Sequence, residues 1–186
     1  MVRGDGTADC LDSNAAASVW KFMHLAAGSS FVVVFRADAA SANDNEIFDT
    51  CTRGGGNVGQ MLSFDAAAYR LEWRVANGLG AYHFALATTA AGVAKNVWHV
   101  VAGAWDSATG YSLRINGGAP FTGATAGAAS AADPAATLRL LARDTVAANW
   151  FRGDVAALGL YAGRISDASL TRLERWALRL RQRLAI

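Results

Sequence analysis

Acid/base cleavage of a glycosidic bond needs two carboxyl groups facing one sugar, one to donate a proton and one to attack or to activate water. The chain has three glutamates, Glu46, Glu72 and Glu174. Glu46 opens a strand segment alone, Glu174 falls in a C-terminal helical segment, and Glu72 lies between Arg70 and Arg74. Two flanking cations favour the charged form of a carboxylate, so Glu72 is expected in a solvated charge ladder rather than as a general acid. His24, His83 and His99 fall on separate strand segments, and His99 beside Trp98 reads as a packed strand residue. No serine stands in a Gly-x-Ser-x-Gly turn. Gly54-Gly55-Gly56 lacks the Lys-Ser/Thr of a phosphate loop and reads as a flexible turn.

Cys10 and Cys51 are the only cysteines. Two readings stand: a pair closing a loop of about 42 residues, worth ~4 kcal/mol in chain entropy, or two separate buried thiols. Their spacing and the few histidines fit no zinc site. Sugar binding would use an exposed aromatic ring, with Trp150 and Tyr82 as the candidates, although six tryptophans in one domain belong mostly to its core. Arg172, Arg175, Arg179 and Arg183 form a row at helical spacing, read either as a solvated face or as a contact to acidic partner surface or an anionic polymer. No residue is assigned to catalysis, to a cofactor or to a metal.

The elements that must carry these residues are mainly strands. Asn96 to Asp106 reads as one buried strand, Ser107-Ala108-Thr109-Gly110 turns, and Tyr111-Ser112-Leu113-Arg114-Ile115-Asn116 returns with a period of two. Asn116-Gly117-Gly118 supplies the positive-φ residues of a second tight turn. Ser30 to Arg36 is apolar on both faces and so central. Val19 to His24, Glu46 to Cys51, Val58 to Asp65, Tyr69 to Val75, Tyr82 to Thr88, Leu138 to Leu140 and Trp150 to Tyr161 complete the set, the glycines of the last permitting a bulge. Gly123 to Ala136 reads as a surface loop and residues 1–18 as an N-terminal arm or irregular lead-in. Strands at intervals of about ten residues indicate a sandwich or barrel. Ser166 is a good N-cap and Asp167 suits the first turn of a helix. Leu170, Leu173, Ala177, Leu180 and Leu184 then form an apolar row on a helix about 27 Å long, expected to pack on the body or on a neighbouring subunit.

At 186 residues the chain fits one domain with a sizeable core. It is 53% apolar and 17% charged, which excludes a disordered chain. Residues 1–163 carry 11 basic and 13 acidic side chains, a balance of −2, and residues 164–186 carry 6 and 2, a balance of +4. The near-neutral body argues against a broad nucleic-acid surface. No apolar run reaches the roughly 20 residues of a membrane helix, and Met1 to Gly6 lacks the apolar core of a signal peptide, so usual secretory export is not expected.

Asn96-Val97-Trp98-His99-Val100-Val101, Trp105-Asp106-Ser107-Ala108-Thr109-Gly110 and Leu113-Arg114-Ile115-Asn116-Gly117-Gly118 resemble a laminin G-like domain of the concanavalin A-like jelly-roll superfamily. Phe151 to Tyr161 resembles that family's final strand, and Ile165-Ser166-Asp167-Ala168 with its arginine-rich helix completes a match over roughly residues 19–182. The fold implied is an all-β, antiparallel two-sheet jelly-roll sandwich over 19–163 with a C-terminal helix over 164–186. Calcium is the usual accessory ion of that family. Asp49, Asp65 and Asp106 offer oxygens at strand ends, but no pair of them has a recognised ligand spacing, so cap and turn roles are expected.

Phe22-Met23-His24-Leu25 before Phe31-Val32-Val33-Val34-Phe35, and then Ile47-Phe48-Asp49-Thr50-Cys51, is similar to small standalone proteins of this fold from tailed bacteriophages. That resemblance implies a non-enzymatic structural protein on the virion, foremost a capsid decoration protein. It would dock on the major capsid protein or another virion protein as a homo-oligomer, a trimer above all, with no nucleic-acid or membrane partner. The alternative is a lectin-like carbohydrate-binding module, a spike or fibre contacting host-surface glycan.

Overall fold

The Asn116-Gly117 turn, with φ of 54° and 77°, has the left-handed backbone that its residue types favour. It follows the hairpin formed by strands Trp98–Asp106 and Gly110–Ile115, the segment with the strongest alternation in the sequence. The computed structural model describes residues 1–7, 9–41, 44–51, 57–80, 82–88, 92–142 and 150–185.

Among these residues the strands are β1 (Val2–Asp5), β2 (Leu11–Asp12), β3 (Ser29–Ala37), β4 (Asp44–Asp49), β5 (Val58–Asp65) and β6 (Arg70–Asn77). They continue as β7 (Tyr82–Thr88), β8 (Trp98–Asp106), β9 (Gly110–Ile115), β10 (Phe121–Gly123), β11 (Arg139–Leu140) and β12 (Arg152–Ala162). The chain ends in helix α1 (Asp167–Leu184). One sheet has the order β1-β12-β3-β8-β9-β10 and the other β2-β11-β4-β5-β6-β7. The described pairings are antiparallel, so the expected all-β two-sheet sandwich with a C-terminal helix is what the chain forms.

The core lies between the sheets. Phe31, Val33 and Phe35 of β3 and Val101 and Trp105 of β8 face Phe48, Leu62, Phe64, Leu71, Trp73 and Val75 of the other sheet. Phe31 meets Phe48 and Trp73 edge-on at 5.3 and 5.1 Å, a geometry that aromatic pairs prefer. Gly103 is small because Phe31 needs the space: a Cβ there would stand 2.3 Å from the ring.

The continuous apolar character of β3 and β8 has its reason on their other face. There Val32, Val34, Val100, Ala102 and Ala104 meet Leu170 and Ala177 of α1. The helix therefore packs on the body of its own chain, making a third layer. Ser166 caps it by accepting the Ser169 N–H. Glu174 is buried beneath it and accepts the Gly117 N–H at 2.9 Å, while Arg181 donates to Asn116 Oδ1 at 2.8 Å.

Four expectations are corrected. Residues 1–18, expected as an N-terminal arm or irregular lead-in, contribute two short strands: Val2–Asp5 fills the edge beside β12, and Leu11–Asp12 pairs with β11. Val19 to His24 is no strand, because Ala17–Met23 is a 3₁₀ helix that buries only Met23, with Trp20 and Phe22 against the core and Val19 exposed. Cys51 is buried but Cys10 is exposed beside the two exposed residues of β2, so no disulfide joins them and they are not two buried thiols. The bulge expected in the last strand lies at Val155–Ala157 rather than at a glycine.

Candidate functional site

Helix α1 covers the outer face of one sheet, and the outer face of the β2–β7 sheet, buried at Glu46, Met61 and Ser63, gathers charged side chains along β6. Trp73 and Leu71 point into the core, so Arg70, Glu72 and Arg74 of β6 line that outer face. Arg70 Nη2 donates to Glu72 Oε1 at 3.3 Å, and Arg70 Nε lies 2.9 Å from Asp65 Oδ2. Arg74 Nη2 donates to Glu72 Oε2. The charge ladder expected from the sequence is therefore present, although it is half-buried rather than freely solvated, with Glu72 only 7% exposed.

Sheet register adds a second carboxylate that local sequence did not reveal. Glu46 pairs with Ser63, and Ser63 with Glu72, so the three share one row across β4, β5 and β6. Glu46 is thus not alone. Two strands at 4.7–4.9 Å apiece separate Glu46 from Glu72, or about 10 Å along the row. That row does not make an acid/base pair that a sugar could reach: Glu46 is 0% exposed, and both oxygens of Glu72 accept from arginine.

The same face carries a cation and an aromatic ring together. Arg74 Cζ stands 5.5 Å from the centre of the Tyr82 ring, and Tyr82 on β7 is half-buried. A guanidinium has five N–H donors, so the bond to Glu72 leaves Arg74 with capacity for a carboxylate or a pair of hydroxyls. Trp150, the other aromatic candidate, is half-buried at the approach to β12.

The remaining candidates hold the fold. Asp65 Oδ1 accepts the N–H groups of Ala67 and Ala68, and Asp49 Oδ1 that of Cys51. Asp106 accepts from the N–H groups of Ala108 and Thr109 and from the Thr109 hydroxyl. Burial alone would raise the Asp106 pKa, but those hydrogen bonds, with Arg164 nearby, hold it below the ordinary carboxylate value. Each of the three thus serves the turn that follows it. Gly54-Gly55-Gly56 lies outside the described residues.

All three histidines are buried, and burial lowers the pKa of each. His99 bonds to Ala94 O and to Asn116 Nδ2, both within 3.0 Å, as a packed strand residue does. His24 ends the 3₁₀ helix and binds Ala132 O at 2.9 Å. His83 on β7 binds Ala126 O at 2.9 Å. These two pin the small-residue loop read over 123–136.

Helix α1 also presents an aromatic ring to solvent within its arginine row. Trp176 is 48% exposed and stands among the exposed arginines Arg172, Arg175, Arg179 and Arg183. Its position, four residues after Arg172 and three before Arg179, is the signal that could have found it.

A laminin G family model, described as the concanavalin A-like lectin/glucanases superfamily, matches residues 5–171. The fold is similar to the CBM40 of Ruminococcus gnavus IT-sialidase bound to alpha2,3 sialyllactose, at 18% identity and a TM-score of 0.70 over 93% of this chain and 94% of that one. It is also similar to the same CBM40 bound to alpha2,6 sialyllactose, at 17% identity and a TM-score of 0.71 over 93% and 97%. The NanB sialidase of Streptococcus pneumoniae is similar over 91% of this chain and 27% of its own, at 14% identity and a TM-score of 0.67. A comparison with curated proteins gives no match.

Proposed function

This chain belongs to the concanavalin A-like lectin/glucanases superfamily, and from that premise we propose that it is a non-catalytic, lectin-like glycan-binding module. Its sugar-facing surface is the outer face of the β2–β7 sheet around Arg74 and Tyr82. The observation that carries the reading is the Arg74 guanidinium 5.5 Å from the Tyr82 ring, on a face whose glutamates are buried or ion-paired. A ring offers an apolar plate to a pyranose, and an arginine fork matches a carboxylate. The structures holding sialyllactose support an acidic sugar as the first ligand to try.

Calorimetry with sialyllactose, against lactose as the neutral control, tests this. Binding to sialyllactose is expected, with a loss of tenfold or more in Tyr82→Ala and in Arg74→Gln. A null result across a glycan array, or unchanged affinity in both variants, overturns it.

Display on a virion is a second proposal, supported by the phage-like resemblance of residues 22–51. The protein would then sit on the shell as a homo-oligomer bound to a capsid protein. Its absence from purified particles by mass spectrometry would remove that reading.

A further inference from the structure

We propose that the outward face of α1 is a second binding surface, for a linear acidic polysaccharide, and that it is independent of the Arg74–Tyr82 site. Arg172, Arg175, Trp176, Arg179 and Arg183 are all exposed on one side of the helix. From Arg172 to Arg183 the row runs about 16 Å at 1.5 Å per residue. The ion pairs around the helix belong to other arginines: Arg114 faces Glu174, and Arg164 faces Asp106 and Asp167. Among the described residues, none of the four arginines of the row faces a carboxylate within ion-pair distance. Like charges three and four residues apart destabilise a helix, so the row works against its own element unless an anion answers it.

The shape of the face selects among anions. Trp176, Arg179, Leu180 and Arg183 line a shallow cleft of about 240 Å³, a flat ring beside two guanidinium groups. The ring suits the apolar face of a pyranose and the guanidinium groups suit the sulfate or carboxylate it carries. A single narrow row fits a thin chain. It does not fit a duplex, which is gripped by a broad basic surface, and here the body bearing the helix has a balance of −2. A lipid surface is a poor match too, because Leu170 and Ala177 are spent on the sheet and Trp176 alone remains to insert.

Dextran sulfate and polygalacturonate, with neutral dextran as control, are the probes. Retention of the folded protein on immobilised dextran sulfate and polygalacturonate is expected, with none on dextran. Arg175→Gln/Arg179→Gln is expected to weaken binding at least tenfold. Trp176→Ala is expected to weaken it several-fold at unchanged charge, a loss that ion exchange alone would not show. Arg175, Trp176 and Arg179 are exposed, and a thermal melt confirms folding of each variant. Tyr82→Ala is expected to lose sialyllactose and keep dextran sulfate, so failure of either site is read separately. Unchanged binding in the arginine variant overturns the proposal. So does equal or tighter binding to single-stranded DNA or anionic vesicles, or a self-association that the same variants abolish, which would make a second copy of the chain the occupant.

Discussion

Asn116 ties helix α1 to the sheet beneath it through one side chain. Its Oδ1 accepts the Val100 N–H at 3.0 Å and the Arg181 Nη1–H at 2.8 Å, and its Nδ2 reaches His99 Nδ1 at 3.0 Å. Its φ of 54° adds a backbone demand. Left-handed backbone costs an L residue other than Asn, Asp or Gly about 1–2 kcal/mol, and orphaned buried partners cost about 1–3 kcal/mol. Asn116→Ala is therefore expected to lower unfolding stability by about 2–4 kcal/mol in urea titration. Asn116→Gly, which relieves the backbone but not the side-chain bonds, recovers about 1 kcal/mol of it. His24 and His83 set a pH dependence of their own. Burial lowers both pKa values, so between those values and the free imidazole value of about 6.5 the unfolded chain binds more protons than the folded one. Stability is then fully present above about pH 6.5 and falls as the medium is acidified. Thermal melts from pH 8 to pH 5 are expected to show a falling midpoint, with a shallower slope in His24→Gln/His83→Gln.

At the scale of elements, what was legible follows from periodicity and what was not follows from pairing at a distance. Tyr111, Leu113 and Ile115 alternate with polar residues, and β9 is half-covered as that pattern requires. The unbroken apolar run of β8 was legible as a buried strand because α1 closes its second face. Strands β1 and β2 gave no signal: they are four and two residues long, and their place is fixed by the open edges of β12 and β11. Val19 to His24 misled because a short apolar run suits a strand or a helical turn equally. In the candidate site, the Arg70–Glu72–Arg74 ladder was readable from spacing two. The alignment of Glu46 with Glu72 needed the register of β5 between them. The helix itself yields a direct prediction. Leu170 is wholly buried against the valine and alanine face of β3 and β8, so Leu170→Ala is expected to cost about 3 kcal/mol. Arg175→Gln on the outward face is expected to change stability by less than about 0.5 kcal/mol. Paired denaturant titrations check both.

For the whole molecule the decisive feature is that its two proposed surfaces point away from each other. The Arg74–Tyr82 face belongs to one sheet, while the arginine row rides on the helix that covers the other. Two packed sheets about 10 Å apart and a layer of helix stand between them, with their polar groups fixed by side-chain bonds such as those of Asn116 and Glu174. If both proposed surfaces bind, a ligand held on one face leaves the other open, and the protein would bridge two chains or hold one long chain at two points with the gain that tethering brings. A sensor coated with sialyllactose is expected to capture the protein and then, on a second injection, to recruit dextran sulfate. Tyr82→Ala is expected to abolish the first step, and Arg175→Gln/Arg179→Gln only the second. Raising the salt concentration is expected to release the dextran sulfate first, because its hold is a row of exposed charges, whereas the sialyllactose site has the single half-buried charge of Arg74 beside the Tyr82 ring and is screened less. Release of the captured protein by added dextran sulfate would show that the two ligands compete for one surface, and the bridging arrangement would fall.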